Sequence, residues 1–471
     1  MPDPIVILQM QRMGDLVLTW PLLLWLSRRF KGHPLLVAAE PMFFNELLPL
    51  SPDARYLPWD KAAKVKGEHF RMVVNLSHRP EAAHLAGELD CATRIGPVRT
   101  DQGLYIHGPW QLYRASLVHN NRHNRFHWAD LNGLDAVPLA RISSTRWPEP
   151  KVPAKDNNRV GLFLGASQEE KRPPQEFWVE LARQLIKRGL HPLLLGGPAE
   201  ADLGKRVAKS LGRNYLNLCG KFSVAELARA LSTLALMVTP DTGPMHLAAW
   251  VGIKTLNLSM GPVSPWETAP YQGGHYVLQA DMSCVGCWRC TNVAPYACRE
   301  RFSVKRVAGL VQRMFSARNP DLSRMQLPGL RLFQTGRDPD GLYSLAPVDG
   351  ARQPGARELV ARFWRSFFGA HLGLWSMERA HREFSGLAQE HPALRMVLRK
   401  SLARLAKDLS ALRARNDQGV PGLDQEFWTK HAPLMRPLTG YLHLSLQNAD
   451  FSATGFRESL ALVESLLGST G

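Results

Sequence analysis

Four residues of one short stretch have the types and spacing to bind a phosphorylated ligand: Asp241, Thr242, Gly243 and His246. They follow the uncharged apolar run 236–238, which is typical of a buried parallel strand, and Pro244 suits the first turn of a helix. A helix that begins just past the carboxyl end of a strand presents unpaired N–H groups and the positive end of its dipole, so it favours phosphate. The carboxylate and hydroxyl could also bind sugar hydroxyls. The alternative is a capped core helix with an incidental histidine.

Two further loops follow apolar strands and carry groups that could act on the same ligand. Asp15 comes after the strand 5–10, where a carboxylate could serve as a general base or simply cap the next helix. The loop 165–174 is rich in small residues, which allow the backbone to approach a ligand. Its Lys171 or Arg172 could neutralise a diphosphate, although cations in loops are usually solvated.

A cysteine cluster lies after the phosphate stretch. Cys284, Cys287, Cys290 and Cys298 form the spacing C-x2-C-x2-C-x7-C. This spacing could hold zinc or an iron–sulfur cluster. The alternative is a group of reduced or locally bridged structural cysteines.

Composition limits the class of protein. The chain has 471 residues, of which 45% are hydrophobic and 21% charged, so it is globular and long enough for two or three domains. Its net charge of +17 favours anionic partners such as nucleic acid, acidic lipid or phosphorylated sugar. The longest apolar stretch, 16–26, is short and contains Thr19 and Pro21. We therefore expect no secretory signal, no membrane span and a cytoplasmic location.

Strands and helices alternate along the first two thirds of the chain, which predicts an α/β fold with doubly wound parallel sheets. A Pro- and Ser-rich break near residue 150 separates two similar halves, so we expect two Rossmann-like domains that face a cleft. The expected divisions are residues 1–150, residues 151–318, a linker or hairpin at 319–356, and a helical extension at 357–471.

Several motifs occur together and in a fixed order. They are Gly14-Asp15, Lys171 ahead of Phe177-Trp178, Gly220-Lys221-Phe222-Ser223 with Glu226, Asp241 to Ala249, and Gly261-Pro262 with Ser264-Pro265-Trp266. In this combination the chain resembles the heptosyltransferase-type glycosyltransferases, family 9 of the GT-B fold. The resemblance covers roughly residues 5 to 316.

The resemblance implies an inverting transfer of heptose from ADP-heptose to a lipopolysaccharide core, with no metal required. It implies these roles: Asp15 as the base; Lys171 on the leaving diphosphate; Ser167, Thr242, Gly243 and His246 at the phosphates; Glu226 at the ribose; and Asp241 at the donor sugar. Catalysis would rest mainly on stabilising the leaving diphosphate, and less on the base.

The first half is the part in which the resemblance implies acceptor binding. Basic residues there that could contact acidic sugars or phosphates are His78, Arg79, Arg122 and Arg125. They could equally form a solvated face. The expected acceptor is a lipid-linked or anionic glycan, and the basic charge would hold the protein at the inner membrane surface. The helical extension could be a cap, a dimer surface or a membrane-facing module.

Three alternatives stay open at this point. The same fold could use another nucleotide sugar, because the motifs specify a diphosphate better than a sugar. The chain could be a non-catalytic glycan-binding protein. It could also bind nucleic acid through its basic charge and a zinc-held cysteine loop. The sequence shows neither a recognition helix nor an aromatic RNA platform, so we expect no nucleic-acid partner.

Overall fold

Two α/β halves and a set of C-terminal helices make up the structure, a computed structural model. It describes residues 2–154, 156–212, 215–287, 290, 292–316, 321–348, 354–416, 427–428 and 430–469. Parts of the predicted linker and of the predicted helical extension lie outside these ranges.

The first half is built on a six-stranded sheet. Its strands and the short pair beside it are β1 (Ile5–Leu8), β2 (Leu35–Ala39), β3 (Arg55–Pro58), β4 (His69–Phe70), β5 (Met72–Asn75), β6 (Asp90–Cys91), β7 (Arg94–Thr100) and β8 (Gly103–His107). The strand order is β3-β2-β1-β5-β7-β8, and only β8 runs antiparallel. The central strand β1 is apolar at every position because helices cover both faces of the sheet.

The helices of this half connect the strands in the doubly wound pattern. They are α1 (Met13–Arg29), α2 (Pro41–Phe44), α3 (Pro80–Glu88), α4 (Pro109–Ser116), α5 (Trp128–Leu134) and α6 (Leu139–Ser143). Helix α1 is apolar almost all round, and its middle turns are fully buried. It is therefore a core helix, and its first residues lie at the carboxyl edge of the sheet.

The second half repeats the plan with seven strands: β9 (Arg159–Phe163), β10 (His191–Leu195), β11 (Leu236–Pro240), β12 (Thr255–Ser259), β13 (Tyr276–Ala280), β14 (Leu330–Arg337) and β15 (Tyr343–Pro347). Their order is β10-β9-β11-β12-β13-β14-β15. The helices are α7 (Gln175–Ile186), α8 (Ala201–Leu211), α9 (Val224–Leu231), α10 (Gly243–Trp250), α11 (Pro265–Thr268), α12 (Ala297–Glu300) and α13 (Val304–Ser316). Two Rossmann-like sheets are thus present, as the sequence predicts.

The segment expected as a linker or hairpin is a hairpin with a larger role. Strands β14 and β15 pair antiparallel, and β14 also pairs antiparallel with β13. Leu330 and Leu332 are buried against the second sheet. The segment therefore extends the second sheet instead of standing between domains, because pairing at the β13 edge satisfies backbone groups that would otherwise be exposed.

The C-terminal extension is helical as predicted, with α14 (Ala356–His371), α15 (Met377–Glu390), α16 (Pro392–Asn416), α17 (Arg436–Asn448) and α18 (Ala453–Ser469). Its apolar residues, such as Phe367 and Leu438, join the same hydrophobic cluster as Leu23 of α1 and Leu247 of α10. Asn448 exchanges two hydrogen bonds with the backbone of Ile106 in β8, at 2.6 and 2.9 Å. The extension therefore shares a core with both halves.

Within the described part of the chain, no helix is both long enough and apolar enough to span a bilayer.

A buried carboxylate joins the two halves. Asp130 of α5 is fully buried and accepts hydrogen bonds from the Tyr271 hydroxyl at 2.5 Å and the Tyr343 N–H at 2.8 Å. The Arg337 guanidinium lies 4.0 Å from the same carboxylate and over the Tyr271 ring. Burial raises the pKa of Asp130, and the charge of Arg337 opposes that shift. The carboxylate is thus the centre of a polar network across the interface.

Asp130→Ala should lower the free energy of unfolding by about 3–5 kcal/mol, because it leaves the Arg337 charge and the Tyr343 N–H without their buried partner. Asp53→Ala, at an exposed aspartate of the first half, should change it by less than about 0.5 kcal/mol. Urea unfolding monitored by circular dichroism measures both. Equal effects for the two variants would contradict the assignment.

Candidate active site

A cavity of about 570 Å³ lies between the two halves. Its lining comes from the loops that follow β1, β5, β9, β11 and β12 at the carboxyl edges of both sheets. The polar residues among the lining are Gln11, Arg12, Asp15, His78, Asn121, Ser167, Gln168, Lys171, Asp241, Thr242, His246, Glu267 and Thr268. Open parallel sheets bind ligands at this edge. Six of the eight residues predicted for the donor and for catalysis are polar members of this lining, and Gly243 lines the cavity with them.

Two helix N-termini, one from each half, meet at this cavity. Helix α10 begins at Gly243 directly after β11, with Thr242 as its N-cap, and α1 begins at Met13 directly after the β1 loop. A Cβ added to Gly14 would lie 3.2 Å from Gly243 Cα and 3.2 Å from His246 Cδ2. These distances are tighter than most Cβ contacts, so the close approach favours glycine. The unpaired N–H groups and positive dipole ends of both helices therefore act on the same space, which favours an anion.

Asp15 lies in the first turn of α1 and lines the cavity. Its carboxylate accepts a hydrogen bond from the Arg12 N–H at 3.3 Å. Burial raises the pKa of Asp15, while the nearby charge of Arg114 lowers it. A carboxylate with a raised pKa binds a proton more readily, so this environment suits a general base.

Arg114 is the charge that opposes the shift at Asp15. It is buried in α4, it donates to the Leu76 carbonyl at 3.4 Å and the Gln111 amide oxygen at 3.3 Å, and its guanidinium lies over the Trp128 ring. Among the residues that the structure describes, its Nε has no hydrogen-bond partner. Sequence reasoning missed this residue, because a single arginine inside a helix matches no motif.

Lys171 and Asp241 form an ion pair inside the cavity. The Lys171 Nζ lies 3.3 Å from Asp241 Oδ2, and the Thr268 hydroxyl donates to the same oxygen at 3.3 Å. Both side chains are largely buried, at 18% and 9% exposure. The structure thus brings the predicted diphosphate cation and the predicted sugar-binding carboxylate into direct contact.

His246 is a buried histidine of the cavity, and burial lowers its pKa to about 4, so its imidazole is neutral at physiological pH. His78 also lines the cavity but is exposed. The Nδ1 atom of His246 is buried without a hydrogen-bond partner. A neutral imidazole there can donate one hydrogen bond to a ligand without adding charge.

Glu267 is a second cavity residue that the sequence analysis did not single out. It is buried and receives hydrogen bonds from the side-chain amides of Asn121 at 2.6 Å and Asn124 at 3.1 Å. Burial raises its pKa to about 8. The two asparagines belong to the first half, so this acid both lines the cavity and joins the halves. The sequence could have indicated this residue, because it directly follows the Ser264-Pro265-Trp266 motif.

Several predicted residues lie outside the cavity lining. The Glu226 carboxylate accepts a hydrogen bond from the Ser223 N–H at 2.8 Å and so caps its own helix α9. Arg79 pairs with Glu40 at 2.9 Å on the surface. Arg122 contacts α14, where its carbonyl accepts a hydrogen bond from Arg357 at 3.2 Å.

Arg125 requires a correction. We expected it to be available for an acceptor, yet its side chain is only 6% exposed and pairs with Glu358 of α14 at 2.8 Å. Its guanidinium also lies over the Trp266 ring. Arg125 therefore connects the first half, the second half and the extension, and this use leaves it unavailable to a ligand.

The four clustered cysteines line one small cavity and are all free thiols. The Tyr296 N–H donates to Cys290 Sγ at 3.4 Å and lowers the pKa of that thiol. Within the part of the chain that the structure describes, no three histidine, cysteine or acidic side chains are arranged to hold a metal ion. The zinc or iron–sulfur site that the cysteine spacing allows stays a prediction.

Comparisons with known proteins agree with this architecture. The family model for glycosyltransferase family 9 (heptosyltransferase) matches residues 111–296. Lipopolysaccharide heptosyltransferase 1 of Pseudomonas aeruginosa is 31% identical over 175 residues, which are 36% of this chain and 48% of that protein. The match thus spans about half the length of that relative.

Two solved structures have the same fold. The structure of E. coli ADP-heptose LPS heptosyltransferase II superposes with a TM-score of 0.51 at 17% identity, covering 67% of this chain and 100% of that one. The family 9 glycosyl transferase from Veillonella parvula gives a TM-score of 0.51 at 18% identity and covers 66% and 97%. The fold is GT-B with additional C-terminal helices. Over residues 111–296 the chain is similar in sequence to glycosyltransferase family 9.

Gly14→Ala should lower the free energy of unfolding by about 1–3 kcal/mol, because its methyl group would press on the backbone of Gly243 across the interface. The matched control is Gly309→Ala in α13, where an added Cβ meets nothing within 4 Å. That variant should be neutral or more stable by about 0.5–1 kcal/mol. Chemical unfolding should show a loss of stability for Gly14→Ala alone, and an equal loss in both variants would contradict the close approach.

Proposed function

We propose that this chain is an inverting glycosyltransferase that moves a heptose from ADP-heptose to a lipopolysaccharide core or a related glycan, and that the reaction needs no metal ion. The observation that carries this proposal is the pair of helix N-termini facing a cavity that also holds the Asp15 carboxylate. An anion site beside a base suits the departure of a diphosphate and the activation of a hydroxyl. The names of the heptosyltransferase relatives support the choice of donor.

The leaving diphosphate gains negative charge as its bond to the anomeric carbon breaks. The N–H groups at the start of α10, the Lys171 ammonium and the neutral His246 would stabilise that charge. One such donor, when fixed in place before the reaction, typically contributes about 3–4 kcal/mol to transition-state stabilisation. On donor binding, Lys171 would exchange Asp241 for a phosphate, and the released carboxylate would accept hydrogen bonds from the sugar.

Asp15 would remove the proton from the acceptor hydroxyl as its oxygen attacks the anomeric carbon. Attack opposite the departing diphosphate inverts the anomeric centre. General bases of this kind contribute a rate factor of roughly 10²–10⁴. Arg114 would keep the Asp15 carboxylate ionised in its buried position, since its charge opposes the rise in pKa caused by burial.

The acceptor would enter from the side of the first half, where His78 lines the cavity. An acceptor linked to lipid would bring the protein to the cytoplasmic face of the inner membrane, which agrees with the net charge of +17. The second candidate function is the same transfer from another nucleotide sugar, because the roles proposed for the cavity residues concern the diphosphate more than the sugar or the base.

Calorimetric titration with ADP, UDP and GDP, each with and without EDTA, tests the donor and the metal together. We expect ADP to bind at least tenfold more tightly than UDP or GDP, and EDTA to leave its affinity unchanged. Preference for UDP or GDP would select the second candidate. If the folded protein binds none of the three, the non-catalytic interpretation replaces both.

Asp15→Asn should lower kcat at least a hundredfold and change the dissociation constant of ADP by less than about threefold, because the amide keeps the shape of the side chain but cannot accept the proton. Lys171→Met is the matched variant and should weaken ADP binding at least tenfold. Transfer assays and calorimetry measure both. An Asp15→Asn variant that loses ADP binding as strongly as Lys171→Met would make Asp15 a structural residue.

A further inference from the structure

Helix α16 of the extension has one exposed face, here called the stripe, that consists of basic, apolar and small residues. The stripe comprises Met396, Val397, Arg399, Lys400, Ala403, Arg404, Lys407, Ser410, Ala411 and Ala414, all of which are exposed. Apart from Val397, its members recur every three or four residues, so they lie on one face of the helix. Met396 and Val397 expose 59% and 41% of their surface at the N-terminal end of this face.

The opposite face of α16 fixes the helix to the rest of the protein. Leu398, Leu402, Leu405 and Leu409 are buried in the core shared with the two halves. The exposed stripe is therefore held in a defined orientation by about three turns of apolar packing. It is a permanent surface of the folded chain.

All the charged residues of the stripe are basic. Helix α16 contains seven basic residues and one acid, Asp408. That acid is turned toward the protein, where it pairs with Lys430 at 3.0 Å and is 25% exposed. Among the described residues of the stripe there is no carboxylate to neutralise Arg399, Lys400, Arg404 and Lys407. The stripe thus presents four exposed cations beside two exposed apolar side chains.

We propose that this stripe of α16 docks the protein on an anionic lipid bilayer. Basic residues attract the anionic headgroups, and Met396 and Val397 enter the boundary between headgroups and acyl chains. Nucleic acid would satisfy the cations but would give no partner to the two apolar side chains. A second copy of the same stripe would bring like charges together. The proposal names the surface for the membrane contact proposed above, and it does not depend on the transfer reaction.

Co-sedimentation of the full chain with vesicles tests the docking. The wild-type protein should bind vesicles of phosphatidylcholine with 30% phosphatidylglycerol and should not bind pure phosphatidylcholine. Each basic residue near an anionic leaflet strengthens binding by roughly fivefold. The variant with Arg399, Lys400, Arg404 and Lys407 all replaced by Gln should therefore lose about two to three orders of magnitude in affinity.

The matched control removes the same charge elsewhere. Lys31, Lys61, Lys64 and Lys187 are exposed and lie on the two halves. Their joint replacement by Gln should leave vesicle binding within about fivefold of wild type. Met396→Ser with Val397→Ser should abolish the fraction of binding that survives 0.5 M salt, because the electrostatic part is screened there.

If the variant with four Gln replacements in the stripe does not fold, the proposal can still be tested on the wild-type protein. Acetylation of Lys400 and Lys407 should slow several-fold when anionic vesicles are added, while acetylation of Lys61 and Lys64 should not change. Equal losses in the stripe variant and the control, or protection of all four lysines alike, would overturn the proposal. So would protection of Lys400 and Lys407 by single-stranded RNA but not by vesicles. ADP affinity serves as the separate readout of the proposed function.

Discussion

The close approach of Gly14 and Gly243 determines the geometry of the candidate site. It brings the positive ends of two helix dipoles to one point, which is unfavourable in the absence of an anion. Apolar packing across the interface offsets that cost, including the contact of the Trp20 and Trp250 rings at 4.9 Å and the core shared by both halves. The apolar packing thus keeps two positive helix ends close together, and a bound anion would remove the electrostatic repulsion between them.

Burial sets the charge of the remaining cavity residues. It keeps His246 neutral and raises the pKa of Glu267 to about 8, so few full charges remain. Lys171 and Asp241 neutralise each other. The helix termini and the charges of Arg12, Asp15 and Arg114 therefore dominate the field in the cavity. Next to a protein interior of low dielectric constant, fixed dipoles act more strongly than they do in bulk solvent.

The sequence predicted the parts of the site that depend on local structure. Asp15 and the stretch from Asp241 to His246 follow buried strands and begin helices, and both signals lie within a few residues of the functional groups. Arg125 was misjudged because its partner, Glu358, is 233 residues away and leaves no local trace. Arg114 was missed because only the tertiary fold buries it beside Asp15. The second sheet was predicted without β14 and β15. These strands lie in a Pro- and Gly-rich region, and their place in the sheet depends on pairing of β14 with the distant strand β13.

The connections made by the extension bear on how substrates enter and leave. Two-domain proteins that open by rotation about a hinge keep few contacts across the interface. Here Arg357 of α14 donates to carbonyls of both Arg122 and Val285, and Asp130 bonds two residues of the second half. Rigid-body opening would break these buried bonds together. Access to the cavity then depends on the loops at its rim, such as 165–174, and the rate of product release would be governed by their motion.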